Sequence, residues 1–258
     1  MNDLVRRNQN VTDINSTSVQ IPETAMVLAA GFGTRLRPLT EITPKAMVKV
    51  LGRPMIDVVL DRLQAAGVKR VVINLHHLGQ VIRDHLKGRT DLEILFSPED
   101  EILETGGGIV KALPLLGDAP FFTVNAKIMW LNGKTDALQR LAQHWDDAKM
   151  DALLLLHPTV TAVGYDGVGD FTMDQFGRLR RRLGWQVAPF LYAGIQLCHP
   201  RLFRDAPKGA FSTNVVWDRA IEEERLYGIR HDGEWYHVST PKHLDDVERH
   251  LLYHGIRF

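Results

Sequence analysis

The sequence predicts an α/β fold: a mostly parallel β-sheet with helices on both faces, followed by a smaller C-terminal lobe. Three observations carry this. Short apolar runs alternate with segments of helical spacing from Thr24 to Leu156, the βαβ rhythm of a parallel sheet covered on both sides. The first apolar run ends in a glycine-rich turn, Ala30-Gly31-Phe32-Gly33. From Asp170 onward the pattern changes to hairpins and short strands, which belong to an added lobe.

Taken in order, Met1 to Glu23 is rich in Asn, Thr, Ser and Val and is expected to be a mobile tail. Ala25-Met26-Val27-Leu28 reads as a buried strand. Pro54 to Ala66 places Met55, Ile56, Val59, Leu60 and Leu63 at helical spacing, and Gly67 closes that helix. Arg70 to Asn74 is a second strand, Gly79 to Leu86 a helix, and Leu92 to Phe96 a third strand. Gly107 to Leu115 forms a helix with a glycine-rich start, Phe121 to Asn125 a fourth strand, Thr135 to Asp147 a helix, and Ala152 to Leu156 a fifth strand.

In the lobe, Asp170 to Met173 and Arg178 to Arg181, joined by Asp174-Gln175-Phe176-Gly177, read as a hairpin. Phe190 to Leu197 is a strand and Asn214 to Glu224 a helix. Tyr227 to His231 and Glu234 to Val238 flank Asp232-Gly233, a tight-turn signal. Thr240 as cap and Pro241 in the first turn start a final helix to about Tyr253. Its stripe of Leu244, Val247, Leu251 and Leu252 is expected to pack on the sheet, leaving a monomer or weak dimer. With no repeat and no low-complexity linker, residues 24–258 read as one domain.

The 258 residues are 45% hydrophobic and 24% charged, enough to bury a core without disulfides. The single cysteine, Cys198, lies in an apolar run and reads as a buried small residue rather than a nucleophile. A reducing, cytoplasmic compartment is expected. Basic and acidic residues balance at 31 each, so no nucleic-acid partner is expected. No apolar stretch approaches ~20 residues, so neither is a membrane span.

The informative segment is Leu28-Ala29-Ala30-Gly31-Phe32-Gly33-Thr34-Arg35-Leu36-Arg37-Pro38-Leu39-Thr40, with Pro44-Lys45 downstream. It leaves the first strand at the edge where open α/β sheets bind ligands. Glycines there let backbone N–H groups approach phosphate oxygens, and Arg35 and Lys45 add positive charge. A dinucleotide fingerprint needs a third glycine where Leu36 stands, and a P-loop needs a Gly-Lys-Ser/Thr that is absent. Alone, this Gly-x-Gly is equally compatible with a tight turn carrying solvated basic residues.

The longer pattern resembles the sugar-1-phosphate nucleotidyltransferase family. Gly52-Arg53-Pro54-Met55-Ile56, Val72-Ile73-Asn74-Leu75-His76-His77, Glu104-Thr105-Gly106-Gly107-Gly108-Ile109, Tyr192-Ala193-Gly194-Ile195 and Val238-Ser239-Thr240-Pro241 match it in order. Within the family the chain is most similar to the N-acetylmuramate α-1-phosphate uridylyltransferases of peptidoglycan recycling. The resemblance implies a Rossmann-like, nucleotide-diphospho-sugar transferase fold with a substrate-binding C-terminal lobe. It implies UTP and a sugar 1-phosphate, N-acetylmuramate 1-phosphate foremost, as partners. Arg35 and Lys45 would act on the phosphates, and Lys127, where this chain departs from the family, is a third catalytic candidate on its own chemistry. Ala30, Gly31, Gly33, Thr34 and Glu104 to Gly107 (with Thr105 and Gly106) would hold the nucleotide. Asn125, Gly194, Asn214 and Trp217 would face the sugar.

The family resemblance also implies Mg²⁺ held by two aspartates. Here the matching positions are Lys127, in Val124-Asn125-Ala126-Lys127, and His237, before Val238-Ser239-Thr240-Pro241. A protonated lysine cannot ligate magnesium, and imidazole suits this oxygen-seeking ion poorly. Three readings follow: a working transferase with Lys127 standing in for the ion or with Asp170 or Asp218 recruited, a non-catalytic nucleotide or sugar-phosphate binder, or an enzyme for another phosphorylated substrate. Among the remaining residues, His76 and His77 read as structural or substrate-edge groups, and Arg178 to Arg182 as a solvated hairpin. Trp130, Trp185, Trp217 and Trp235 read as core or pocket wall, Trp217 also as a candidate for the sugar site.

Overall fold

In the computed structural model, which describes residues 20–256, each apolar run pairs where both of its faces find cover. In chain order the elements are β1 (Thr24–Leu28), β2 (Lys49–Val50), β3 (Arg53–Pro54), α1 (Met55–Ala66), β4 (Arg70–Leu75), α2 (Gly79–Leu86), β5 (Glu93–Pro98) and α3 (Glu104–Leu116). Then come β6 (Phe121–Asn125), β7 (Ile128–Trp130), α4 (Ala137–His144), β8 (Ala152–Pro158), β9 (Phe171–Met173), β10 (Leu179–Arg181) and β11 (Phe190–Cys198). The chain finishes with α5 (Asn214–Glu222), β12 (Leu226–Arg230), β13 (Trp235–His237) and α6 (Pro241–Tyr253).

The main sheet runs β10-β9-β11-β6-β1-β4-β5, with β8 beside β11 and β12 beside β8. Strands β6, β1, β4 and β5 are mutually parallel. Strand β11 runs antiparallel to both β6 and β8. Side-chain alternation explains the double cover. Ala25, Val27, Val71, Ile73, Phe122 and Val124 face a core with α1, α2 and α4, while Met26, Val72 and Phe121 face one with α3 and α5.

Several elements differ from expectation. Ile21 packs on the first core, and the Glu23 carbonyl accepts from Lys69 N and Arg70 N at 2.9 and 3.0 Å. Residues 20–23 are therefore part of the fold, whereas residues 1–19 of the expected tail lie outside the described residues. Helix α3 starts at Glu104 rather than Gly107, because the Phe211 carbonyl takes the Gly106 and Gly107 amides, otherwise orphan donors of a first turn. Helix α4 is shorter than expected, beginning where the Asp136 side chain accepts from Leu138 N and Gln139 N.

The Asp232-Gly233 turn does not make a hairpin. Strand β12 pairs parallel with β8, and β13 pairs antiparallel with β7. Trp235 and Tyr236 thereby face Trp130 and Met129 across a separate two-stranded ribbon. Helix α6 is capped by Thr240, as expected. It packs mainly on a third core of Leu36, Val48, Met55, Met129, Tyr236 and Val238, not on the main sheet. Its Leu252 is 68% exposed. Trp130 and Trp235 are buried, but Trp185 is 82% exposed on the loop after β10. No helix among the described residues is long and apolar enough to cross a membrane.

Candidate active site

Three neighbouring strands stop at one level. Leu28 at the end of β1 stands opposite Asn74 of β4 and Asn125 of β6. Because β4 and β6 flank β1 on opposite sides, the crevice beyond Leu28 is the switch point where such sheets bind ligands. A cleft of about 330 Å³ opens there, lined by Leu28 to Gly31, Lys45, Ala46, Asn74, Glu99, Ile102, Glu104, Thr105, Asn125 to Lys127, and Ser212.

The glycine turn forms its floor. The Ala29 N–H donates to Asn74 Oδ1 at 2.7 Å, fixing the exit of β1. The next two amides, of Ala30 and Gly31, have no acceptor among the described residues. A Cβ on Gly31 would meet nothing within 4 Å. Gly33 differs, with a left-handed φ of 65°. Its carbonyl accepts from Thr40 Oγ1 at 2.8 Å, and a Cβ would sit 2.9 Å from Thr40 Cγ2 and 3.1 Å from Lys45 Cβ. That close approach carries the Lys45 segment over the turn.

Lys127 follows from β6 and β7. Ala126 N donates to Leu28 O at 3.1 Å, and Ile128 pairs with His237. The two positions that resemble the family's metal sites are thus brought together. Burial, with Lys127 and Arg35 adding repulsion, pushes the Lys45 ammonium down to about 7. Burial and Arg35 lower Lys127 as well. His237 falls to about 3, through burial and then the charges of Lys127, Lys45 and Arg35, so its ring is neutral at pH 7. It stacks on Trp235 at 5.6 Å, and its buried Nδ1 has no partner among the described residues.

The other wall is a polar bracket that sequence reasoning missed. Asn74 Nδ2 donates to Glu99 Oε1 at 2.7 Å, and Glu99 Oε2 accepts from Leu103 N at 2.9 Å. Asn74 thus ties the glycine turn to the segment leading into α3. The only available sign was a lone polar residue near the end of an apolar strand; Glu99 gave no sign at all.

Of the residues expected at the site, Ala30, Gly31, Lys45, Glu104, Thr105, Asn125 and Lys127 line the cleft together. Arg35 and Thr34 are exposed on the adjoining 3-10 turn, with the Arg35 charge felt by Lys45, Lys127 and His237. Gly106 and Gly107 do not line it. Their Cβ atoms would lie 2.3 Å from the Phe211 ring and 2.2 Å from Gly209 O, so their smallness serves packing.

Gly194 sits in β11 at a register shift, behind Asn125, where a Cβ would be 3.0 Å from Asn125 Nδ2. Asn214 is exposed, does not line the cleft, and accepts from Arg181 at 3.0 Å. Trp217 is a core residue, 4% exposed. Its Nε1 donates to Gln196 Oε1 at 2.9 Å, and Tyr192 packs edge-on at 4.8 Å, because α5 turns it inward onto the sheet.

Asp170 and Asp218 are committed elsewhere, to Tyr192 N at 2.8 Å and Arg181 at 2.7 Å. Arg181, expected to be solvated, also lies over the Phe171 ring at 4.7 Å. His76 Nδ1 donates to the Glu99 carbonyl at 2.9 Å, and the ring packs against Phe32 at 5.3 Å, a structural position at the cleft's edge.

These residues do not fit a magnesium ion. Lys127 and neutral His237 offer no oxygen at the matched positions. Glu99 has both oxygens engaged, and Glu104 belongs to the α3 side. Among the described residues no group of three or more His, Cys, Asp or Glu side chains is arranged to hold a metal.

Comparison with known proteins places the chain in a family. The family model described as nucleotidyl transferase matches residues 24–172. An N-acetylmuramate alpha-1-phosphate uridylyltransferase of Caulobacter vibrioides is 40% identical over 228 residues, covering 86% of this chain and 94% of that protein. One from Neisseria meningitidis serogroup B is 32% identical, covering 87% and 96%. The solved structure of a UDP-glucose pyrophosphorylase complexed with UDP-glucose superposes with a TM-score of 0.75 at 13% identity, covering 91% of this chain and 100% of that one, a likeness of fold.

Proposed function

The chain belongs to the nucleotidyl transferase family, and on that premise we propose that it transfers a uridylyl group from UTP to N-acetylmuramate 1-phosphate. The products are UDP-N-acetylmuramate and pyrophosphate, and the role is cell-wall recycling in the cytoplasm. The observation that carries this is the pairing of two acceptor-free amides, Ala30 and Gly31, with two lysines, Lys45 and Lys127, around one cleft at the sheet's switch point. The names of the similar uridylyltransferases support the choice of nucleotide and sugar. The buried thiol of Cys198 suits a reducing compartment.

The nucleophile is a phosphate oxygen that is already anionic, so no strong base is needed. That oxygen bonds to the α-phosphorus as the bond from phosphorus to the bridging oxygen breaks, and pyrophosphate leaves with the electron pair. The difficulty is bringing two anions together. Positive groups fixed before the substrates arrive meet that difficulty without reorganising. Lys45, Lys127 and Arg35 fill this role. The Ala30 and Gly31 amides hold the triphosphate, while Glu104, Thr105 and Ile102 frame the nucleoside. Asn125 faces the sugar phosphate.

Pyrophosphate release tests this. UTP with N-acetylmuramate 1-phosphate is expected to exceed UTP with glucose 1-phosphate and GTP with either sugar. Arg35→Ala and Lys45→Ala are each expected to lower kcat/KM about 10²-fold or more. Release with no nucleotide and sugar pair would remove the proposal.

A further inference from the structure

Lys45 and Lys127 line the cleft, Arg35 stands on the adjoining turn, and among the described residues no acid pairs with any of the three. Elsewhere the fold pairs its arginines closely: Arg140 with Asp232 at 2.7 Å, and Arg201 and Arg225 with Asp151 at 2.7 and 2.8 Å. Lys127 is no waving surface lysine. Its backbone is pinned on one side by the Ala126 bond to β1 and on the other by the β7–β13 ribbon. It is half-buried and shares the cleft wall with Lys45 and Gly31.

We infer that this site binds a nucleoside triphosphate without a protein-held divalent cation, the Lys127 ammonium occupying the ion's place and Lys45 supplying the second charge. The identity of the ligand rests on the uridylyltransferase reading above; the absence of a metal requirement rests on the donor set alone. A divalent ion here would be repelled by Arg35 and by Lys45 and Lys127 in their charged forms, in a half-desolvated cleft. A free polyanion meets those charges directly and satisfies the two open amides. A fixed ammonium still neutralises charge on the departing pyrophosphate. Its hydrogen bonds hold phosphate oxygens less rigidly than coordination would, so much of the geometry falls to the backbone amides and Lys45.

Calorimetry with UTP and the full chain, in EDTA and in millimolar Mg²⁺, tests this. UTP is expected to bind in EDTA at least as tightly as in Mg²⁺. Lys127→Ala should weaken binding in EDTA about tenfold or more. Lys127→Arg should retain it, which separates loss of charge from loss of fold. Lys127→Asp should make binding depend on Mg²⁺. Wild-type binding that appears only with Mg²⁺ overturns the inference and leaves the nucleotide reading standing. No binding in either condition overturns both.

Discussion

At Lys45 the fold puts an ammonium where charge is costly. Burial, then Lys127 and Arg35, bring it down to about 7 from an ordinary value of 10.5. Between those two pH values the unfolded chain holds the extra proton, so this group makes the ligand-free protein more stable as pH rises across the window. Ligand binding has the opposite sign. A polyphosphate favours the charged lysine, so UTP binding takes up a proton above pH 7 and weakens as pH rises through it. Calorimetry at pH 8 in buffers of different ionisation enthalpy should show net proton uptake, reduced in Lys45→Met; equal uptake in both would refute the assignment.

Asn74 makes a second prediction at this scale. It satisfies both the Ala29 amide and the Glu99 carboxylate. Asn74→Leu strands two buried polar groups and should cost ~2–3 kcal/mol of urea-measured stability. A loss under ~0.5 kcal/mol would show that the bracket is not structural. The Lys45 and Lys127 positions were legible because a long linear pattern flags them. The bracket was not, because Asn74 and Glu99 meet only through the β4–β5 register. Trp217 reads from sequence as core or pocket wall and as a sugar-site candidate, and it is core; nothing in its neighbours says which way a helical side chain turns.

The glycines divide by element. Gly31 lies in an open turn, whereas Gly107 lies in the first turn of α3 in contact with the 209–211 loop. Gly31→Ala should leave thermal unfolding nearly unchanged yet weaken UTP binding about tenfold, its methyl group taking space beside the amides. Gly107→Ala drives a methyl to within 2.2 Å of Gly209 O and should cost ~1–3 kcal/mol of stability. The same Tm shift for both would show that the turn is packed rather than open. The parallel strands were readable in the sequence because each is apolar on both faces. The pairing of β13 was not. A local Asp-Gly turn signals a hairpin, but Trp235 and Tyr236 gain more by burial against Trp130 and Met129, on a three-residue strand too short to show a period.

Across the whole molecule, two cores clamp the sheet while a third, beneath α6, supports the β7–β13 ribbon that carries Lys127 and His237. Nucleotide binding therefore draws on all three. UTP at ~100 times its Kd should add ~2.7 kcal/mol of stability, visible as a rise in Tm. The α/β class and the edge bearing the site follow from strand rhythm and the glycine turn. The cation cluster is not legible at that scale, and Lys127 meets His237 only once β7 and β13 pair. The most direct test of that cluster as a polyphosphate cradle is a crystal structure with UTP. The triphosphate is expected against the Gly31 amide, with oxygens in hydrogen-bond range of the Lys45 and Lys127 ammonium groups; phosphates ordered elsewhere, or turned away from both lysines, would contradict it.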